Sequence, residues 1–360
     1  MPQILRHDQI YTRSYENLAA ARRQATRIGN YDSSATRRIM STEFELRSGG
    51  KIPHDWQLDT AEALLLGVDS VVIAGTGAGK SIPVMLPFML PDNENKMLVV
   101  ISPLKALEKD QALRFKNMNI RAKAVNGENW SEKLRKAVQN HKYQVLFVSP
   151  EMSIKHTECR ELLASMGLAK DIIGIVVDEA HCISQWGGQF RTAYSELNKL
   201  RTFVPQGIPF LAMSATLAPG PLSDVEKTLH IDLKTAFYIN RGNDRPNIKM
   251  SVKEVSNAED YDVLMELLNL SDVLRPDDIP KTIIFANTRN EVQQIWQYLR
   301  TKLDEHLHRC IDFMHALRTP NTKEHVMYRF ANGQVKILVA TECVAMVSRT
   351  CGPVKKNCGI

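Results

Sequence analysis

Cysteine is scarce: six in 360 residues, at 159, 182, 310, 343, 351 and 358, and no two are spaced as Cys-x-x-Cys. That spacing excludes a zinc ribbon and a dense disulfide scaffold, and it points to a reducing compartment. Long apolar runs are missing too. The longest, Ile82 to Pro91, is too short and too proline-broken to cross a bilayer, and Met1 to Asp8 has no apolar signal region. The chain therefore reads as soluble and unexported, with no membrane and no zinc among its partners. Lysine is absent from the first fifty residues, which hold eight arginines and five acids. Asp8 and Glu16 sit where an organelle transit peptide avoids acids. Residues 1–50 are therefore expected to form a loosely packed, solvated N-terminal extension, helical in part from Tyr15 to Ile28.

What is present is ordinary globular composition, 44% hydrophobic and 24% charged, which excludes disorder, collagen and coiled coil. A length of 360 residues exceeds what one hydrophobic core usually holds and implies two domains. The net charge of +6 favours a polyanionic partner without identifying one.

From Ser70 onward, short apolar runs alternate with helical stretches, the signature of strand-helix-strand units on a parallel sheet. The runs are Val71 to Ala74, Met97 to Ser102, Arg121 to Val125, Val145 to Ser149, Ile172 to Asp178 and Phe210 to Ser214. They are continuous rather than alternating, as strands buried on both faces are. They define a first domain over residues 51–239, and Gly242 and Pro246 punctuate a linker at 240–250. Strands at Thr282 to Ala286, Ile311 to His315 and Lys336 to Ala340 then build a second lobe over 251–346. Three strands make a thin sheet with an exposed edge. The divergent tail 347–360 is expected to add no further strand.

Ala74-Gly75-Thr76-Gly77-Ala78-Gly79-Lys80-Ser81 follows the first strand and precedes a helical stretch, the context of a phosphate-binding loop. Backbone N–H groups and a helix N-terminus surround phosphate oxygens there, and glycines permit close approach. Lys80 then reaches the β- and γ-phosphates of ATP, and the Ser81 hydroxyl is a ligand for Mg²⁺. Ala74 replaces the usual first glycine, and the alternative is a glycine-rich turn with an incidental lysine. Downstream, the strand Ile172 to Val177 ends in Asp178-Glu179-Ala180-His181. A carboxylate there holds Mg²⁺ through its waters, Asp178's role, while Glu179 orients and deprotonates the attacking water. The alternatives are a solvated acidic loop, and for His181 a structural hydrogen bond.

The segment Asp178-Glu-Ala-His-Cys-Ile-Ser-Gln-Trp-Gly187, with Phe190-Arg191 after it, resembles the RecQ branch of superfamily 2 DNA helicases. Other segments agree in order: Gln57, Ser102-Pro-Leu104 with Asp110-Gln111, Ser149-Pro-Glu151, Ser214-Ala-Thr216, Arg245-Pro-Asn247, Thr282 to Asn290, His315-Ala316 and Val339-Ala-Thr341. The resemblance covers roughly residues 52–346. It implies an α/β chain with two RecA-like parallel-sheet lobes of the phosphate-loop NTPase class, the second incomplete, with ATP in the cleft. It further implies 3′ to 5′ translocation on single-stranded DNA and unwinding of partly duplex DNA in repair or recombination, in the nucleus if the source is eukaryotic. Lys80, Asp178, Glu179 and His181 become the catalytic set, and Gln57 reads the adenine. Ser214 and Thr216 couple hydrolysis to lobe movement. Ser102, Trp186, Phe190, Arg191, Thr288, His315 and Thr341 meet DNA. Bases stack on aromatic faces for about 1–3 kcal/mol each, the role implied for Trp186 and Phe190. Core packing is the other reading for both, and Gly187 and Gly188 between them favour an exposed loop.

Two departures from the family pattern stand out. Gly188 and Gln189 replace a histidine and an acid in the aromatic-rich loop, which bears on coupling between DNA and ATP. After Thr341 the family continues through a Gly-x-Asp into a Gly-Arg-rich motif that carries an arginine finger, typically worth about 10³ to 10⁵ in rate. This chain reads Val347-Ser-Arg-Thr-Cys-Gly-Pro-Val-Lys-Lys356 instead. The expectation is a C-terminally truncated helicase with impaired hydrolysis. The alternative is an ATP-gated DNA-binding fragment. A phosphate-loop kinase or transporter ATPase is a third class that Asp178 to His181 and Ser214 to Thr216 disfavour.

Overall fold

The computed structural model describes residues 7–360 except 104, 187–191, 245–246, 258–259, 272, 342–343, 345–354 and 358–360. It divides into two compact units, Met1–Ile248 and Lys249–Ile360, with the boundary inside the linker that Gly242 and Pro246 mark. Among the described residues, no helix is long and apolar enough to cross a membrane.

The first unit is a seven-stranded parallel sheet made of β1 (Ser70–Ile73), β2 (Met97–Ile101), β3 (Ala122–Val125), β4 (Val145–Val148), β5 (Ile172–Val177), β6 (Phe210–Ser214) and β7 (Phe237–Asn240). Their order across the sheet is β3-β4-β2-β5-β6-β1-β7. The period of two along each strand divides a continuous apolar run between two cores. Val71, Ile73, Val99 and Ile101 enter one core, and Val72, Leu98 and Val100 enter the other.

From His7 on, the N-terminal extension is not loosely packed. It forms α1 (His7–Gly29) and α2 (Ser33–Ser48), a helical hairpin that puts Leu18, Met40 and Phe44 into the second core. Next in the chain, α3 (Asp55–Leu65) lies against the sheet where β5 carries Gly174. A Cβ at Gly174 would stand 3.0 Å from Leu64 Cδ2 and 3.2 Å from the Pro209 carbonyl, so glycine lets α3 lie close to the sheet.

α1 also covers the sheet's edge. Ser14, fully buried, donates to the Tyr238 carbonyl at 2.8 Å and accepts the Tyr238 N–H, while Asn17 donates to Lys234 and Ala236 carbonyls. Side chains thus satisfy an edge strand that would otherwise present open backbone groups. Ser14→Ala removes the hydroxyl that both Tyr238 main-chain groups bond, and losing the partner of a buried polar group costs about 1–3 kcal/mol. Urea unfolding is expected to show a lower midpoint. An unchanged midpoint would mean that β7 holds its place without α1.

The second unit contains β8 (Thr282–Phe285), β9 (Ile311–Met314), β10 (Ile337–Ala340) and β11 (Lys355–Asn357), all parallel, in the order β11-β8-β10-β9. The expectation of three strands and a strandless tail is therefore corrected. β11 adds to β8 through main-chain pairing, which a run of polar residues does not advertise.

Candidate active site

Because the strands of the first sheet run parallel, their carboxyl ends share one edge, and the turns leaving β1, β2, β5, β6 and β7 meet there. Residues 74–81 leave β1 as a glycine-rich loop. At Gly79, φ is +82° and a Cβ would lie 2.7 Å from Gln57 Nε2 and 2.9 Å from Ile82 Cδ1. Backbone and space both demand glycine at this position. Lys80 is buried and turned back on its own loop, donating to the Ala74 carbonyl at 2.9 Å. Ser81 is half-buried at the loop's end.

The helix expected after the loop is much shorter than the sequence suggests. α4 (Ile82–Met85) is one turn and runs into a 3-10 turn, Leu86–Met89. Pro83 sits in the first turn, where a missing N–H is no loss, but Pro87 supplies none to the next turn, so the α-helical ladder cannot continue. The donors on offer at this end of β1 are therefore the loop's own N–H groups.

Gln57, on the first turn of α3, is 1% exposed. Its Oε1 accepts the His54 N–H at 2.8 Å, and its Nε2 donates to the Ala78 and Gly79 carbonyls at 3.1 and 3.3 Å. Both amide protons are thus spent on the loop, which Gln57 clamps.

After β5, Asp178 accepts the Glu179 N–H at Oδ1 (3.0 Å) and Gln111 Nε2 at Oδ2 (2.6 Å). Gln111 sits on α5 (Lys105–Asn117). Its position was visible in the sequence, but its contact with Asp178 was not. Glu179 is buried with φ +51°, a left-handed backbone that is uncommon outside glycine and concentrates at functional sites.

His181 Nδ1 stands 3.0 Å from Ser214 Oγ and 3.4 Å from Glu179 Oε2. Ser214 gives its proton to the Thr216 carbonyl at 2.9 Å, so its oxygen accepts from His181, which fixes the Nδ1–H tautomer. Burial pushes the His181 pKa below its ordinary value. Glu179 and Asp178 pull it the other way, and Lys80 adds to the lowering. A neutral ring agrees with the single-proton bridge from the end of β5 to the end of β6.

A cavity of about 680 Å³ lies beside the loop, walled by Gly75 to Ala78, by His54 to Trp56 and, past β7, by Arg241 and Gly242. Tyr11 and Tyr15 of α1 line it as well. Sequence reasoning missed these walls; two tyrosines four residues apart in an arginine-rich run were their only signal.

The residues expected to meet DNA fall on both units. Ser102 follows β2 and is fully buried, its hydroxyl without a hydrogen-bond partner among the described residues. Trp186 ends the helix Cys182–Trp186, while Phe190 and Arg191 lie outside the described residues, as does the Trp186 side chain. In the second unit, Thr288, His315 and Thr341 follow β8, β9 and β10, at the carboxyl edge of that sheet. Thr288 caps the helix Arg289–Lys302, its hydroxyl accepting the Glu291 N–H at 3.2 Å. Burial lowers the His315 pKa, reinforced by Arg318, Arg289 and Lys323. Those three cations stand near His315, Arg318 being paired with Asp312 at 2.8 Å, and the sequence reading did not single them out.

The DEAD/DEAH box helicase family model matches residues 54–225, and the Helicase conserved C-terminal domain model matches 260–346. The ATP-dependent DNA helicase RecQ of Haemophilus influenzae is 31% identical over 294 residues, covering 81% of this chain and 44% of that protein. The ATP-dependent DNA helicase Q-like 4B of Arabidopsis thaliana is 29% identical over 297 residues, covering 81% of this chain and 24% of that protein. The chain spans less than half the length of these two curated relatives. Among solved structures, the Mycobacterium smegmatis helicase Lhr bound to ssDNA and AMP-PNP aligns with a TM-score of 0.60 at 20% identity, covering 88% of this chain and 42% of that one. S. cerevisiae Dbp5 bound to RNA and ADP BeF3 aligns with a TM-score of 0.62 at 18% identity, covering 85% and 74%. At such identities the likeness establishes the fold, that of RecA-like helicase lobes. Both helicase domains thus stand in sequence order along this chain, and RecQ-type DNA helicases are its relatives over most of its length.

Proposed function

We propose that the chain is the motor portion of an ATP-dependent DNA helicase of RecQ type, moving 3′ to 5′ on single-stranded DNA and opening partly duplex DNA. The observation that carries this reading is the meeting, at one sheet edge, of the phosphate loop, the Asp178–Gln111 pair, Glu179 and the His181–Ser214 bridge.

The loop N–H groups and Lys80 bind the β- and γ-phosphates, Lys80 exchanging the Ala74 carbonyl for phosphate oxygen. Glu179 orients the attacking water and takes its proton. The His181–Ser214 bridge carries the state of the γ-phosphate from β5 to β6 and on to Thr216. Among the described residues no three His, Cys, Asp or Glu side chains gather as a metal cage. Mg²⁺ needs none, since it is held by one or two protein oxygens together with waters and phosphates, and the Ser81 hydroxyl and the Asp178 carboxylate are such donors. When bound it supplies neutralisation of phosphate charge. Ser102, Trp186, Phe190 and Arg191, with Thr288, His315 and Thr341, track the DNA strand. For a eukaryotic source, that substrate places the protein in the nucleus.

The test is ATP turnover by the purified chain with and without single-stranded DNA, beside single-stranded RNA and a Lys80→Ala control. Expected is DNA-stimulated turnover that falls by about 10²-fold or more in the control. Turnover stimulated by RNA alone would overturn the DNA assignment. A second reading, nucleotide-gated DNA binding without turnover, is favoured by the run Val347 to Lys356, which departs from the family's Gly-Arg-rich pattern. It predicts Lys80-dependent ATP binding with no hydrolysis.

A further inference from the structure

α3 carries acids on one face and the loop clamp on the other. At about 100° per residue, Asp55, Asp59 and Glu62 share a face and Gln57 lies roughly opposite. Glu62 is completely buried and Asp59 nearly so. Their counter-charges come from the N-terminal hairpin. Arg22 of α1 pairs with both Asp59 and Glu62. Arg37 of α2 reaches Asp59 at 2.6 Å, Glu62 at 2.9 Å and Asp55 at 3.1 Å. Tyr31, in the turn between the two helices, and Ser33, at the start of α2, both donate to Glu62 Oε1, at 2.9 and 2.5 Å. Burial alone would raise the Glu62 pKa, but the hydrogen bonds from Arg22, Ser33 and Arg37 hold it below its ordinary value.

A buried ion cluster is a poor device for stability alone, because apolar side chains of similar volume commonly serve as well or better. Its directional bonds fix a register. Here they fix α3 from behind, and the opposite face of α3 holds Gln57 against the Ala78 and Gly79 carbonyls. The same hairpin places Tyr11 and Tyr15 on the cavity beside the loop.

We infer that the helical hairpin of residues 7–48 is a determinant of nucleotide affinity, with Arg22 and Arg37 as positioning residues that set α3, Gln57 and through them the phosphate loop. This rests on the reading of that loop as a nucleotide site. The arginine-rich segment then has a defined work: it acts on ATP without touching it.

The experiment measures a fluorescent ATP analogue binding to the full chain, together with KM and kcat for ATP. For Arg37→Gln, binding is expected to weaken at least tenfold and KM to rise in proportion, with kcat at saturation little changed. Arg37→Lys, which keeps the charge but not the fork, is expected to recover part of the loss. Tyr31→Phe combined with Ser33→Ala, which leaves every ion pair in place, is expected to weaken binding about threefold and covers the case in which Arg37→Gln fails to fold. Unaltered affinity in a folded Arg37→Gln protein, or in the hydroxyl-deleted pair if Arg37→Gln does not fold, would overturn the inference and leave the hairpin a purely structural element. If wild-type binding itself were insensitive to Lys80→Ala, the nucleotide-site reading would fail first, and the two failures are thereby told apart.

Discussion

Glu179→Gln should lower ATP turnover by about 10²- to 10⁴-fold, the usual contribution of a positioned general base, while nucleotide binding stays close to wild type. The substitution is isosteric, and glutamine is no worse than glutamate at the left-handed backbone found there, φ +51°. Its amide oxygen can stand where Glu179 Oε2 does, 3.4 Å from His181 Nδ1. What disappears is the basic oxygen alone. Asp178→Asn is the informative contrast. Asp178 holds Gln111 Nε2 at one oxygen and the Glu179 N–H at the other, so an amide in its place faces a donor with a donor. That variant should lose nucleotide binding and turnover together, whereas Glu179→Gln separates them. Binding by equilibrium titration and turnover by phosphate release decide it. A Glu179→Gln protein that retains a tenth or more of wild-type turnover would take the role of base away from Glu179.

Much of this site can be read from the sequence because its parts obey local rules. Val, Ile and Leu runs marked the inner strands, since both faces of a parallel strand are buried. Loop and acidic pair were found because each follows such a run. Other parts depend on partners far along the chain. Leu18, Met40 and Phe44 are buried hydrophobics spaced among arginines, and those arginines look solvated until Asp59 and Glu62 are seen to face them. Gln111 contacts Asp178 across 67 residues, and no local pattern announces that bond. β11 pairs with β8 through the backbone, and its polar sequence carries no strand period. The one-turn α4 is a different kind of miss, since Pro87 was in view and one turn past a first-turn Pro83 it already forbade a longer regular helix.

Gly79→Ala should weaken nucleotide binding by about 10²-fold, and two independent costs lead there. The first is conformational: a left-handed φ costs a residue with a Cβ about 1–2 kcal/mol. The second is steric, because the new methyl would sit 2.7 Å from Gln57 Nε2 and 2.9 Å from Ile82 Cδ1. A terminal amide usually gives way cheaply, but this one is buried and bonded to the Ala78 and Gly79 carbonyls. Moving it breaks both bonds, at a net of about 0.5–1.5 kcal/mol each. The sum is about 2–5 kcal/mol, which at about 1.4 kcal/mol per tenfold brackets the expected loss. Combining Gly79→Ala with Gln57→Ala separates the costs, for it removes the amide from the methyl's path and leaves φ as it was. Recovery of about tenfold is expected, short of wild type. Full recovery would show that φ costs nothing and the clash everything. Normal binding by the single variant would show that the loop binds phosphate in a conformation other than the one it holds against Gln57.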